Sequence, residues 1–109
     1  MTIERGEIWW VNLDPTVGRE IKKRRSCVVL SASEVNRIRA TPIVIPLSFS
    51  AEAAPPIVVS LPSAGKDSVA VVDQMRAVDK RRFMSRAGSL TDADLRNLEL
   101  ATKQILQLP

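Results

Sequence analysis

The chain has 109 residues, 45% of them hydrophobic and 26% charged, and a formal net charge of +4 at neutral pH. That length fits one compact domain, residues 1–109, with little left for a second core. With no histidine and one cysteine, it holds no intrachain disulfide, no zinc site of the usual nitrogen and sulfur type, no Ser-His-Asp triad and no paired-histidine nuclease centre.

The first predicted element is a strand at Ile8, Trp9, Trp10 and Val11. Both tryptophans lie inside the strand pattern, so they read as core and dimer-contact residues rather than as platforms for bases. Asp14, Pro15 and Gly18 then mark a loop, Lys22, Lys23, Arg24 and Arg25 form four consecutive cations, and Cys27, Val28, Val29 and Leu30 resume a β pattern. The layout is strand, cationic loop, strand, and a positive field focused in this way suits phosphate. Cys27 reads as a small buried hydrophobe in a chain of a reducing compartment.

A third strand is predicted at Ile43, Val44, Ile45, Pro46 and Leu47, with Pro46 restricted to an edge, a bulge or a strand end, and Ser48, Phe49 and Ser50 at its exit. A proline-containing loop over residues 51–56 leads to a β-branched run at residues 57–61, and Gly65, Lys66 and Asp67 turn the chain into a strand at residues 68–72. Short strands at this spacing predict a small barrel or curled sheet. The period then changes: Leu95, Leu98, Ala101, Ile105 and Leu108 share one helical face. Thr91 is placed to cap it, with Asp94 three residues on, and Leu90 is placed to staple against Leu95.

Charge is concentrated in two segments. Residues 19–39 hold seven cations against Glu20 and Glu34, and residues 76–86 hold five against Asp79. Joined, they make a basic groove; apart, they are two solvated faces, and sequence distance leaves both open. No apolar signal core opens the chain and no stretch is long enough to cross a bilayer, so no membrane association and a cytoplasmic location are expected.

The four glycines are far apart, which removes glycine-rich phosphate loops. Asp67, Asp73 and Asp79 lack a ligand motif and read as solvated turn acids, so no metal and no other cofactor is expected. Arginines, hydroxyls and backbone amides remain. They suit one reaction, the attack of an RNA 2′-hydroxyl on its neighbouring phosphodiester, in which RNA supplies the nucleophile and the protein stabilises growing negative charge.

Arg5-Gly6-Glu7-Ile8-Trp9, Asp14-Pro15-Thr16-Val17-Gly18-Arg19-Glu20, and Arg25 followed by Val28-Val29-Leu30-Ser31 resemble the MazF/PemK toxin family. Further similarity lies in Ile43 to Ser48, Asp67-Ser68-Val69, Asp73-Gln74-Met75-Arg76, Val78-Asp79-Lys80 and Leu90-Thr91-Asp92. The resemblance implies a mainly β fold with a C-terminal α-helix, the SH3-like small barrel of the CcdB/PemK toxins. It implies a homodimer that cuts single-stranded RNA sequence-specifically without a metal, leaves 2′,3′-cyclic phosphate and 5′-hydroxyl ends, and is inhibited by a cognate antitoxin.

Carried over by position, Arg25 corresponds to the family's catalytic arginine and Ser48 to its catalytic hydroxyl residue, usually threonine. Glu20, Asp73 and Gln74 match positions that line the RNA groove and read base edges. Arg19, Lys22, Lys23 and Arg76 are read as tracking the phosphates, and Val17 or Phe49 as offering an apolar or stacking surface. Ser26 stands where the family commonly has proline, so either Arg24 or Arg25 can reach the phosphate, with register favouring Arg25. Ile21 stands where glutamine is common, which changes the expected cut-site preference. Two other readings share the fold: a CcdB-type gyrase-binding toxin, although Leu106-Gln107-Leu108-Pro109 lacks that relative's Trp-Gly-Ile ending, and a non-catalytic SH3-like RNA-binding module.

Overall fold

A computed structural model describes residues 1–109. Seven strands form one curled antiparallel sheet: β1 (Glu7–Asn12), β2 (Arg24–Val29), β3 (Ile43–Ser48), β4 (Val58–Ser60), β5 (Val69–Val71), β6 (Arg76–Ala77) and β7 (Phe83–Ser89). Their order is β4-β5-β3-β2-β1-β7, with β6 pairing on β3. A short helix, α1 (Ser33–Ile38), links β2 to β3, and α2 (Asp92–Leu106) closes the chain. The barrel-like sheet with a C-terminal helix agrees with the expected architecture. The helix α1 and the strands β6 and β7 were not among the predicted elements.

Both faces of the sheet are covered, which is why β2 reads as a continuous apolar run rather than an alternating one. One face carries Ile8, Val28, Ile45 and Leu47, which pack with Val59, Leu61, Val72 and, from α2, Leu98 and Ala101. The other carries Trp9, Val11, Cys27, Val29 and Val44, which pack with Ile3, Leu13, Val78 and Phe83. Trp9 meets Phe83 edge-on at 5.7 Å between ring centroids, and its indole N–H donates to Glu7 Oε1 at 3.1 Å. Trp9 is buried in the core as expected, whereas Trp10 points to the opposite side and is 43% exposed, which removes it from the core and leaves a dimer contact open.

Pro46 lies inside β3, not at its end. Its position is explained by the outer edge of that strand, where β6 pairs Ile43 and Val44 and β5 pairs Leu47 and Ser48. Pro46 falls in the change of partner between them, so that edge makes no demand on its missing N–H. The turn after β4 needs Gly65, whose φ is +136° and whose Cα lies so close to Phe49 that an added Cβ would sit 3.3 Å from that ring.

Thr91 caps α2 as expected, its Oγ1 accepting from Asp94 N at 3.2 Å. Asp94 does not complete a capping box. Its buried carboxylate accepts instead from Ser63 N at 2.8 Å and Ser63 Oγ at 2.5 Å, while Ser63 Oγ accepts from Thr91 N at 3.1 Å. Leu90 and Leu95 both join the first core. The helix stops before Leu108: Gln107 turns left-handed at φ 55°, Leu108 N bonds back to Lys103 O at 2.8 Å, and the Leu108 side chain is exposed.

Candidate active site

β1 and β2 pair Val11 with Arg25 and Asn12 with Arg24. Arg24 and Arg25 are therefore strand residues, and alternation sends their side chains to opposite faces. Arg25 shares the face of Cys27. The β2–β3 register pairs Cys27 with Pro46 and Val28 with Ile45. Continued two residues along both strands, that register sets Arg25 across from Ser48.

The chemistry of each group follows from its partners. The Arg25 side chain is exposed and makes no hydrogen bond or ion pair within the chain; the ion-paired arginines are Arg5, Arg37, Arg81 and Arg86. Its planar fork of donors is thus available to an anion. Half-buried Ser48 closes the turn after β3, its Oγ accepting from Ser50 N at 3.3 Å and Ala51 N at 3.2 Å. With both lone pairs engaged, the hydroxyl is left to act as a donor. Beneath the pair, burial pushes the Cys27 thiol up to about 12, against the opposing pull of the Arg76 and Arg25 guanidiniums. Cys27 is fully buried, as expected for a packing residue.

The cationic loop of residues 13–23 is pinned over this end of the sheet. Leu13 N bonds Lys23 O at 2.9 Å, and Lys23, at a left-handed φ of 68°, donates its N–H to Asp14 Oδ1 at 3.0 Å. The second basic segment holds the loop from below: Arg76 Nη1 donates to Leu13 O at 3.3 Å and Arg82 Nη1 donates to Asn12 O at 3.4 Å and to Asp14 O. Arg76 and Arg82 of the second basic segment thus meet the base of the loop that carries Lys22 and Lys23, which brings the two segments into contact at this end of the chain.

The remaining candidates fall into three groups. Gln74 is half-buried in a 3₁₀ turn before β6, and its Oε1 accepts from Ile21 N at 3.3 Å; Asp73, beside it, is exposed. Glu20 turns inward to the loop tip, where its Oε1 accepts from Val17 N at 2.7 Å; Val17 and Arg19 are exposed there. Phe49 is 53% exposed and lies against the Gly65 turn. Ile21, read as a lost amide, packs against the second core, so it anchors the loop by its side chain as well as its N–H. Ser26 is buried opposite Trp10, with a hydroxyl that has no hydrogen-bond partner. Arg82 was missed as a site residue; its role depends on two backbone carbonyls, which no sequence motif displays.

Residues 4–106 match the family described as PemK-like, MazF-like toxin of type II toxin-antitoxin system. The chain is 36% identical over 83 residues to the Endoribonuclease PemK of Escherichia coli, a match that covers 72% of this chain and 62% of that protein. It is 30% identical over 115 residues to Endoribonuclease MazF9 of Mycobacterium tuberculosis, covering 97% of this chain and 98% of the relative. A crystal structure of MazF from Deinococcus radiodurans has the same fold, with a TM-score of 0.88 at 24% identity over 99% of each chain. The family match over nearly the whole chain, together with this fold, places the protein among the PemK-like, MazF-like toxins of type II toxin–antitoxin systems.

Proposed function

We propose that this toxin, an endoribonuclease by family, cuts single-stranded RNA by attack of a 2′-hydroxyl on the adjacent phosphate. The 2′-oxygen bonds to phosphorus as its proton passes to solvent, the bond from phosphorus to the 5′-oxygen breaks, and that oxygen takes up a proton. The products are a 2′,3′-cyclic phosphate and a 5′-hydroxyl. Arg25 neutralises the charge that grows on the phosphoryl oxygens and Ser48 donates a hydrogen bond to one of them; both roles require no metal.

The observation that supports this reading is the β2–β3 register, which ends at Cys27 and Pro46 and, continued two residues, would bring an unpaired guanidinium across from a hydroxyl whose lone pairs are already engaged. The phosphates on either side would run along Arg19, Lys22, Lys23, Arg24 and Arg76. Val17 and Phe49 would supply apolar contact, and Glu20, Asp73 and Gln74 would meet exposed base edges. A cognate antitoxin rich in carboxylates is the expected inhibitor. Leu106 and Leu108, exposed at the end of α2, offer apolar surface for a homodimer, and no helix is long and apolar enough to cross a membrane; action in the cytoplasm is the corresponding expectation.

The test is incubation of the purified protein with mixed-sequence RNA in EDTA, followed by mapping of 5′-hydroxyl ends. Discrete cuts that vanish in Arg25→Ala support the reading. Cuts that persist in that variant refute the assignment of Arg25, and intact RNA refutes the activity.

A further inference from the structure

Trp9 and Trp10 are neighbours in sequence and opposite in environment: Trp9 is 7% exposed within the core, Trp10 is 43% exposed on the other face of β1. The residues paired with Trp10 on its two sides are Ser26 of β2 and Ser85 of β7. Both are small, so neither cross-strand neighbour covers the indole. Two residues further along, on the same face, Asn12 pairs with Arg24. Beyond them an open cleft of about 510 Å³ is lined by Asn12, Asp14, Lys23 and Arg24, with no apolar residue among them. Its one carboxylate, on Asp14, already accepts the Lys23 N–H. Neither Lys23 nor Arg24 has an ion-pair partner.

An exposed indole beside a polar cleft with two free cations has the composition of a stacking platform with its phosphate contacts. We propose that this face of β1 and β2 is a second RNA subsite, on the side of the sheet away from Arg25. A base flanking the scissile phosphate stacks on Trp10, and Lys23 and Arg24 hold its phosphate. The proposal rests on the reading of the chain as an RNA-cutting toxin. Arg24 and Arg25, adjacent in β2, would then grip one strand as it passes round the end of the sheet. Two cations without ion-pair partners favour a polyanion such as RNA as the occupant over a second copy of this chain, whose net charge is +4.

The experiment uses a 20-nucleotide RNA of mixed sequence, methylated at every 2′-oxygen so that it binds without being cut. Tryptophan emission is followed in the wild type and in Trp10→Phe, which leaves Trp9 and the core untouched. The expected result is quenching in the wild type that is absent from Trp10→Phe, and binding about tenfold weaker in Trp10→Ala. Equal emission changes in wild type and Trp10→Phe, or unaltered affinity in Trp10→Ala, overturn the proposal. So does a dimer that falls to monomer in Trp10→Ala by sedimentation, which assigns Trp10 to a contact between copies. Cleavage of unmodified RNA in EDTA is scored separately: cuts without quenching defeat the subsite alone, and quenching without cuts defeats the catalytic reading alone.

Discussion

Gln74 Oε1 accepts the N–H of Ile21 at 3.3 Å, so a side chain from the 3₁₀ turn before β6 holds the cationic loop from across the site. A neutral hydrogen bond of this kind contributes about 1 kcal/mol. Replacing Gln74 with Ala should therefore release the loop at this anchor while Arg76 and Arg82 retain its base. The expected outcome is faster hydrogen exchange at the Ile21 amide, by about fivefold, with little change in the exchange of the β2 core amides.

If Arg25 and Ser48 act as proposed, turnover should distinguish them from their neighbours. Removing one preorganised donor from a developing oxyanion costs about 100- to 1000-fold in kcat. Arg25→Ala should fall in that range and Ser48→Ala should approach it, whereas Ser48→Thr should retain activity because the hydroxyl is kept. Arg24→Ala, on the other face of β2, should act on KM and its salt dependence rather than on kcat. Initial rates on a single mapped cut site at two ionic strengths separate these effects.

Cys27 should be inert in the native protein. Its thiol is pushed up to about 12 from 9.0 by burial, so a disulfide reagent at pH 8 should find one reactive thiol only after unfolding. The same shift makes a stability prediction. Because the folded pKa lies above the unfolded one, the contribution is intact below pH 9 and is lost as pH rises from there toward 12. The expected loss is about 1.4 kcal/mol per pH unit, read as a falling urea midpoint between pH 9 and pH 11 that is flattened in Cys27→Ala.

Asp94 ties the start of α2 to the 3₁₀ turn after β4 through two hydrogen bonds from Ser63. Asp94→Ala removes the charged acceptor shared by the N–H and the hydroxyl of Ser63. A destabilisation of about 2–3 kcal/mol is expected, or roughly 10 °C or more in Tm, and calorimetry measures it directly.

Ser26→Ala should do the reverse. The hydroxyl is buried and unpartnered, so its removal relieves a desolvation penalty at no loss of hydrogen bonding. A gain of up to about 1 kcal/mol in chemical denaturation is the expected outcome.

The strands with buried faces were legible in the sequence because their apolar residues declare themselves: β1, β3 and α2 lie where the pattern puts them, within a residue or two, while β2 begins three residues before its apolar run, at Arg24, because its ladder with β1 continues through the two exposed arginines. β7 was not, since only Phe83 and Leu90 bracket it with buried side chains and its middle is exposed. It is a strand by virtue of its ladder with β1, and a ladder leaves no periodicity to read. The helix α1 is six residues long and buries only Asn36, which bonds Ile3 O and Ser31 O; one polar anchor on so short a segment shows no helical period.

The site divides in the same way. Arg25 and Ser48 could be named from a resemblance and a strand register, both one-dimensional. The inward turn of Glu20, the bridge from Gln74 to Ile21 and the hold of Arg82 on the loop depend on where side chains meet backbone groups distant in sequence or hidden within a tip. The opposite fates of Trp9 and Trp10 follow from strand alternation together with their neighbours: Trp9 packs on Phe83, while Trp10, two residues beyond Ile8 and the first core, has only Ser26 and Ser85 beside it.

The acids of the cationic loop, Asp14 and Glu20, each accept a backbone N–H of the loop itself. Their charges are committed to holding the segment's shape, which leaves Arg19, Lys22 and Lys23 without a resident counterweight. A surface built in this way has the charge to attract a chain that brings its own carboxylates, which would meet cations no acid of the toxin already neutralises.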